Sequence, residues 1–296
     1  MTTVSPITNL VANVVCDAGE VVGLVPEGVN SHTFAPAPSD AFILAEADIV
    51  FVNGLNLELP AMALAEANVQ DGVEIFSLGE ATIEPEDYIF DFSFPEEEGD
   101  PNPHLWTNPL YALDYAKLIA DKMSSIDPEN ADAYQANFDR LRERIELLDA
   151  AVREATATIP PERRQLLTYH DSFPYFAREY EWQVIGAIQP SDFSEPTARE
   201  VADLILQIRA ENVPAIFGSK VFSSPVLERI ANETGARYVD ELRDDDLPGG
   251  PGDPDHSYFG LMVFDFRTMV EALGGDASAL EGFPTDNFCD RATYEQ

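Results

Sequence analysis

The sequence predicts an α/β protein of two lobes, each built on a mainly parallel sheet, with one long rigid helix bridging them. Short apolar runs alternate with amphipathic segments on both sides of residues 127–157, and those residues themselves carry a single helical stripe. A chain of 296 residues is long enough for two lobes that each bury a core. We therefore expect an N-terminal α/β lobe at 1–126, a linking helix at 127–157 and a C-terminal α/β lobe at 158–296.

In the first lobe, apolar runs of strand length are separated by segments with helical patterning. Turn sequences such as Pro26-Glu27-Gly28 and Asn53-Gly54 follow the strand-like runs. Open α/β sheets place their binding sites in the loops that follow strands, so ligand groups are expected there. The alternating segments are Ile7–Val15, Val21–Val25, Asp40–Ala45, Ile49–Val52, Pro60–Ala67 and Val73–Ser77.

The linking helix is predicted from its start, its stripe and its end. Asp127 followed by Pro128 indicates an N-cap with proline at the first helical position, and Pro160 ends the helix. The apolar stripe repeats at three- and four-residue steps and consists of Phe138, Leu141, Ile145, Leu148 and Val152. The charged residues largely off this stripe are expected to face solvent, namely Arg140, Arg142, Glu143, Arg144 and Glu146.

After the helix the alternation resumes and mirrors that of the first lobe. A loop rich in Pro, Gly and Asp, Gly249–Asp255, precedes a closing helix at Tyr258–Leu273. No apolar run approaches the roughly 20 residues that span a bilayer, so no membrane-crossing segment is expected. The other segments are Leu166–Tyr169, Phe173–Tyr180, Val184–Ile188, Thr197–Asn212, Ala215–Phe217 and Ser224–Thr234.

The charge balance argues against one class of partner. The chain has 54 acidic and 17 basic residues and a formal net charge of -37, whereas nucleic-acid phosphates need clustered Lys and Arg. Cations are the expected ligands, although an acidic surface also confers solubility by itself.

The two cysteines, Cys16 and Cys289, are too far apart for a CxxC motif, so they are either free or paired with each other. A disulfide between them would persist only in an oxidising compartment. No export signal is visible, since Met1 runs almost directly into an apolar stretch, as in a mature form whose signal was replaced by a start methionine. Cys16 lies inside the first α/β unit and is not expected to carry a lipid anchor.

The four histidines of the chain all fall in predicted loops or strand ends. They are His32, His104, His170 and His256. A single loop histidine is usually an idle surface residue, but four that are spread over both lobes can converge on one cleft. Neutral imidazole suits zinc, copper or nickel, whereas calcium and magnesium prefer oxygen donors. The pattern therefore predicts a transition-metal site between the lobes, with zinc preferred.

Several segments resemble the zinc/manganese solute-binding proteins of bacterial ABC importers, the TroA-like family. They are Leu24–Phe34, Pro38–Asp40, Ala47–Gly54, Asp100–Trp106, Tyr169–Phe176, Glu211–Phe217 and Ser257–Met262, so the resemblance covers nearly the whole chain. It implies two lobes bridged by a rigid helix, a metal held between them, and delivery of that metal to an ABC permease in the membrane. It also implies an extracytoplasmic protein, periplasmic or at the cell surface, whose precursor can carry a lipid anchor. We expect a monomer.

The resemblance also implies a ligand set. The positions that match the first three ligand positions of the family are His32, His104 and His170. Histidine at the third position is typical of zinc-type members, whereas manganese-type members often have glutamate there. The fourth position departs from the family, because His256 stands where members commonly have Asp. His256 is the expected fourth ligand, with Asp253, Asp255 or water as the alternatives.

A second departure concerns the loop between the first two ligands, which is often rich in histidine in zinc-type members. Here the corresponding segment, Glu84–Asp100, is acidic. It is either a solvated loop or a weak collector of cations. Because the histidine loop is missing, manganese and iron remain alternatives to zinc.

Each imidazole ligand needs a partner at its other ring nitrogen, which fixes its orientation. Nearby carboxylates are the first candidates, with helix capping as the alternative role for the last of them. They are Asp171, Asp40 and Glu195.

Two alternatives to a transport protein are a zinc-dependent hydrolase and a surface adhesion protein. Catalytic zinc keeps an open position for water beside a general base, whereas four histidines would close the shell. The chain also lacks HExxH and Gly-x-Ser-x-Gly motifs. Adhesion is not excluded by the fold alone. The sequence therefore predicts a protein that captures a metal and catalyses no reaction.

Overall fold

Each lobe contains a parallel sheet, as the alternating pattern predicts. The computed structural model of the chain describes residues 1–190, 193–221, 224–289 and 292–294. The strands in these ranges are β1 (Val21–Gly23), β2 (Ile49–Val52), β3 (Glu74–Ser77), β4 (Gln165–Thr168), β5 (Gln183–Ala187), β6 (Ala215–Ser219), β7 (Arg237–Leu242) and β8 (Ala292–Tyr294).

The α-helices alternate with these strands in both lobes. In the first lobe they are α1 (Ser5–Val15), α2 (Asp40–Leu44), α3 (Leu59–Asn68), α4 (Leu78–Thr82) and α5 (Pro109–Ile126). The linking helix is α6 (Ala131–Ala157), and the second lobe contains α7 (Pro174–Glu179), α8 (Ala198–Glu211), α9 (Pro225–Thr234) and α10 (Tyr258–Ala272).

The sheet of the first lobe is assembled from both ends of the chain. β2 pairs with β3 and β1 pairs with β8, in each case parallel. Thr2 bridges Gly23 of β1 and Phe51 of β2, which joins the two pairs into one sheet. We assigned all of 158–296 to the second lobe, but its last strand lies in the sheet of the first. In the second lobe the strand order is β5-β4-β6-β7, with every neighbour parallel.

Helix α1 is buried on all sides and anchors the returning C-terminal segment. Its buried amides need polar partners, and Asn287 supplies one, because its Oδ1 accepts from Nδ2 of both Asn9 and Asn13 at 3.0 Å. Cys16, which directly follows the helix, forms a disulfide with Cys289. The two cysteines are therefore paired, one of the two arrangements that the sequence left open.

Helix α6 bridges the lobes as predicted. Its 27 residues extend over about 40 Å. The predicted apolar stripe from Phe138 to Val152 is buried, and the helix packs against α1 and α5 of the first lobe and α10 of the second. Its start differs in detail from the prediction. Pro128–Asn130 form a 3-10 turn, and the Asp127 carboxylate accepts from the side chains of Asn130 and Tyr134.

Two arginines of α6 that were expected to face solvent hold the C-terminal segment. The guanidinium of Arg144 lies 4.0 Å from the ring centroid of Phe288, and that of Arg140 lies 4.2 Å from it. Cation–π contacts of this kind stabilise the ring on the outer face of the helix. The sequence pattern of α6 alone could not show this, because the contact depends on where the end of the chain returns.

Within the described residues, no helix combines the length and the apolar character needed to cross a membrane.

Replacing both Cys16 and Cys289 by Ser is expected to lower the free energy of unfolding by about 2–4 kcal/mol, because the crosslink restricts the unfolded chain. Denaturant titration of the oxidised wild type and the double variant measures this difference. Wild type kept under reductant serves as the control and should match the variant. Equal midpoints for the oxidised wild type and the variant would contradict the expected role of the disulfide.

Candidate metal centre

Three of the four histidines converge between the lobes. His32 lies in the loop after β1, His104 lies five residues before α5, and His170 lies two residues after β4. Nε2 of His104 is 3.2 Å from Nε2 of His32 and 2.9 Å from Nε2 of His170. The parallel strands of both sheets direct their carboxyl ends toward this point, which is where open α/β sheets place their ligands.

Asp245 completes the cluster. It follows β7 by three residues, and its Oδ1 and Oδ2 lie 3.8 Å from Nε2 of His104 and 3.9 Å from Nε2 of His170. One potential ligand atom from each of His32, His104, His170 and Asp245 lies within 4.8 Å of all the others. Oδ1 of Asp245 is buried and has no hydrogen-bond partner among the described residues. A buried carboxylate oxygen in this state is suited to a cation.

The spacing of these atoms is close to that of a tetrahedral metal site. Zinc–nitrogen bonds of about 2.0–2.1 Å at tetrahedral angles place neighbouring donors about 3.3 Å apart. The two Nε2–Nε2 distances of 2.9 and 3.2 Å need only small adjustments to reach this value.

His104 and His170 are oriented by amide oxygens. Nδ1 of His104 lies 2.8 Å from Oδ1 of Asn102, and Nδ1 of His170 lies 3.1 Å from Oε1 of Gln189. An amide oxygen only accepts, so each Nδ1 carries the proton and each Nε2 presents a lone pair to the cluster. We expected carboxylates in this role, and the structure places amides there.

His32 is held by aromatic rings. Its imidazole stacks on Phe193 with ring centroids 4.4 Å apart and an interplanar angle of 28°, and Phe94 lies 5.7 Å away on a tilted plane. Phe193 belongs to the second lobe and has a φ of 56°, a left-handed conformation that is rare for a bulky residue. A ring from the second lobe thus orients a histidine of the first.

Burial keeps the three histidines neutral. Desolvation lowers the pKa of His32 and His104 well below the ordinary range, and neighbouring histidines add to this effect. Desolvation also lowers the pKa of His170 to about 4, although the contact with Gln189 opposes it. The lone pairs are therefore available to a metal over most of the physiological pH range.

The pKa of Asp245 shifts in the opposite direction, upward. Burial raises its pKa to about 7, the hydrogen bond from Oγ of Ser31 at 3.2 Å opposes this, and Asp246 and Asp265 raise it further. Behind it, burial also raises the pKa of Asp265 to about 7. Near neutral pH the carboxyls of Asp245 and Asp265 can therefore gain or lose a proton at a small cost in free energy. The pocket can thus become more negative when a cation binds.

A second carboxyl pair consists of Asp91 and Asp171, and Asp171 directly follows His170 in the sequence. Desolvation and the neighbouring Asp171 raise the pKa of Asp91 to about 9, and the two side chains share a hydrogen bond. Asp171 also accepts from the backbone N–H of Ser93 at 3.0 Å, and its carbonyl oxygen accepts from Asn102 Nδ2 at 2.7 Å. This pair ties the loop that carries His104 to the loop that carries His170.

The structure corrects the placement of His256. It does not join the other three histidines; instead its Nδ1 lies 3.1 Å from the carbonyl oxygen of Pro248 and its Nε2 lies 2.8 Å from Oε1 of Glu27. Asp253 and Asp255, the sequence-based alternatives, are also outside the cluster. The fourth place is taken by Asp245, which sequence reasoning missed because the preceding strand, β7, was not predicted.

The remaining candidates from the sequence, Asp40 and Glu195, make other contacts. Asp40 accepts from the backbone N–H of Ala37, and Glu195 accepts from the hydroxyls of Tyr169 and Ser224. A cavity of about 200 Å³ has His32, Phe94, Phe193 and two residues of the acidic loop, Glu98 and Asp100, in its lining. A larger cavity of about 430 Å³ beside α10 has none of the four clustered residues in its described lining.

Comparison with known proteins decides the family. A sequence model described as "Zinc-uptake complex component A periplasmic" matches residues 1–272. The chain belongs to this family.

Two relatives and one solved structure illustrate the similarity. The metal ABC transporter substrate-binding lipoprotein FimA of Streptococcus parasanguinis is 26% identical over 278 residues, 92% of this chain and 88% of the relative. The iron-binding protein YfeA of Yersinia pestis is 28% identical over 276 residues, 93% and 86% of the two chains. The periplasmic zinc-binding protein TroA from Treponema pallidum has a TM-score of 0.82 at 26% identity, covering 92% of this chain and 97% of TroA.

Replacing Phe193 by Ala is expected to weaken metal binding about tenfold, because His32 loses the ring that orients it. Calorimetric titration of the metal-free variant measures the change. Phe92→Ala is the matched control, since Phe92 is an exposed phenylalanine of the acidic loop and its loss should leave the affinity unchanged. Wild-type affinity in Phe193→Ala would show that the stack does not orient His32 for binding.

Proposed function

We propose that this protein captures zinc outside the cytoplasm and delivers it to an ABC permease in the membrane. One observation carries the proposal: three neutral imidazoles, two buried and that of His32 half-buried, and one buried carboxylate present their donor atoms within 4.8 Å of one another. Membership of the zinc-uptake family supports the transport role, and the disulfide supports an oxidising compartment.

The proposed ligands are His32, His104, His170 and Asp245. Three nitrogens and one carboxylate oxygen form a donor set that zinc accepts in tetrahedral geometry. All four residues come from one chain, so the site needs no second copy of the protein. The three histidines and Asp245 together carry one negative charge when Asp245 is ionised, so the loaded site keeps a net charge of about +1 that the nearby carboxyls offset.

Zinc is favoured over manganese by the donor atoms. At a given site of nitrogen and oxygen donors, zinc binds more tightly than manganese or iron(II) in the usual order of stability. Manganese or iron is the second candidate, because Asp245 has both carboxylate oxygens near the histidines and can raise the coordination number. The relative YfeA is named as an iron-binding protein.

Catalysis and adhesion are less well supported. Four protein ligands leave no open position on a tetrahedral zinc ion, whereas hydrolytic zinc keeps one for activated water. A buried metal site of this kind gives no support to a role in adhesion. Capture instead requires an ion to lose its water, and the cavity beside His32, with Glu98 and Asp100 in its lining, provides an acidic approach.

Titration of the metal-free protein with zinc and with manganese should give one-to-one binding of zinc, tighter than that of manganese by at least about a hundredfold. Asp245→Ala is expected to weaken zinc binding about 10- to 100-fold, because it removes a ligand. Asp253→Ala, the matched control, should bind zinc like wild type. Equal affinities for the two metals would contradict the choice of zinc. Wild-type zinc affinity in Asp245→Ala would contradict the proposed ligand set.

Zinc binding should release a proton whose source is Asp245. With a pKa of about 7 in the metal-free protein, Asp245 is mostly protonated at pH 6 and mostly ionised at pH 8. Its contribution should therefore fall as the pH rises through this range, and affinity should fall as pH decreases below 7. The histidines contribute little, since their pKa values lie lower.

Calorimetry in buffers of different ionisation enthalpy counts these protons. Asp245→Asn is the control, because it keeps the shape of the side chain and cannot release the proton. Release that is the same in wild type and Asp245→Asn would assign the protons to other groups and contradict the prediction.

A further inference from the structure

Three polar contacts connect the loop that carries His32 to the second lobe. Oε1 of Glu27 lies 2.8 Å from Nε2 of His256, and the backbone N–H of Gly28 donates to Oδ1 of Asp246 at 2.9 Å. Oγ of Ser31 donates to Oδ2 of Asp245 at 3.2 Å. The last two contacts involve Asp245 or its neighbour, whereas the contact between Glu27 and His256 lies outside the cluster and does not use any of its four residues.

The surroundings of His256 differ from those of the other three histidines. Nδ1 faces a carbonyl oxygen, that of Pro248, and Nε2 faces the carboxylate of Glu27 at 2.8 Å. Both ring nitrogens are thus directed at acceptor oxygens and away from the cluster, which separates the role of His256 from that of the other three histidines.

The Glu27–His256 pair is largely shielded from water, and the backbone of His256 is held in place by its neighbours. His256 is 3% exposed, and the side chain of Glu27 is 23% exposed. The backbone of His256 is fixed, because its carbonyl oxygen accepts from Nδ2 of Asn287 at 2.7 Å and its N–H donates to the carbonyl oxygen of Asp253 at 3.0 Å. Asn287 is in turn bound to α1, so His256 is an anchored point on which the Glu27 loop closes.

We propose that the Glu27–His256 pair is a latch that positions His32. Glu27 precedes His32 by five residues in the same loop, so holding Glu27 against the anchored His256 limits the range of positions that His32 can take. The latch rests on the proposed function, since its purpose is to keep the first-lobe ligand in place. His256 and Glu27 are thus positioning residues that do not contact the metal. Loss of either should speed metal dissociation and leave the ligand set unchanged.

The test uses Glu27→Ala, His256→Phe and the double variant in the full chain. His256→Phe keeps a ring of similar size in the buried site, and Glu20→Ala, which removes an exposed carboxylate of the first lobe, is the control for charge. Hydrogen exchange of residues 26–32 in the metal-free proteins reports on the latch without any metal. Release of zinc to a chelator gives the dissociation rate, and the visible spectrum of the cobalt-loaded proteins reports on the ligand set.

Each single variant is expected to release zinc about tenfold faster and to exchange faster at 26–32. The double variant should match the single ones, because both changes break the same contact. The cobalt spectrum should stay that of wild type, and Glu20→Ala should behave as wild type throughout.

Three results would overturn the latch. One is a cobalt spectrum that changes in His256→Phe and not in Glu27→Ala, which would make His256 a ligand. Another is a double variant whose effect is the product of the two single effects, and the third is exchange at 26–32 that neither substitution alters. Failure of the proposed function is distinct, because wild type would then bind no zinc while the exchange experiment still measures the contact. If His256→Phe does not fold, as judged by thermal unfolding, Glu27→Ala alone still decides through exchange and release.

Discussion

The rest of the structure depends on three neutral imidazoles brought together at one point between the lobes. The Nε2 lone pairs of His104 and His170, 2.9 Å apart, repel each other when both rings are neutral, and burial is what keeps these rings neutral. A cation at their centre turns this repulsion into bonding. The fold must hold the rings together before the cation arrives, so the force comes from packing and hydrogen bonds elsewhere in the two lobes.

That force is supplied by several independent constraints. Amide oxygens of Asn102 and Gln189 fix two of the rings, and Phe193 stacks on the third. His170 and Asp245 lie two and three residues beyond parallel strands whose backbones are already fixed by their sheet. Helix α6 and the disulfide then set how the two sheets face each other. Preorganisation of this kind reduces the entropy that binding would otherwise cost.

Periodicity and turn chemistry were enough to predict the α/β class and the buried stripe of α6. The distribution of the histidines predicted that all four would converge, and the family resemblance marked His32, His104 and His170, which the structure brings together. They failed where a residue's role depends on contacts distant in sequence. Asp245 follows β7, whose Asp240 and Glu241 interrupt the apolar pattern that marks a strand. His256 was placed by its position beside the Ser-Tyr pair, but its acceptors, Glu27 and the carbonyl of Pro248, are visible only in three dimensions. The return of the last strand to the first sheet gave no local signal either.

The route of the C-terminal segment changes the mechanics of the two lobes. The chain passes from the first lobe to the second through α6, and it passes back through residues 273–289 before the disulfide and β8 secure it. A body joined to another at one point can swivel about that point in any direction. Two separated connections leave the lobes fewer ways to move relative to each other than one connection would.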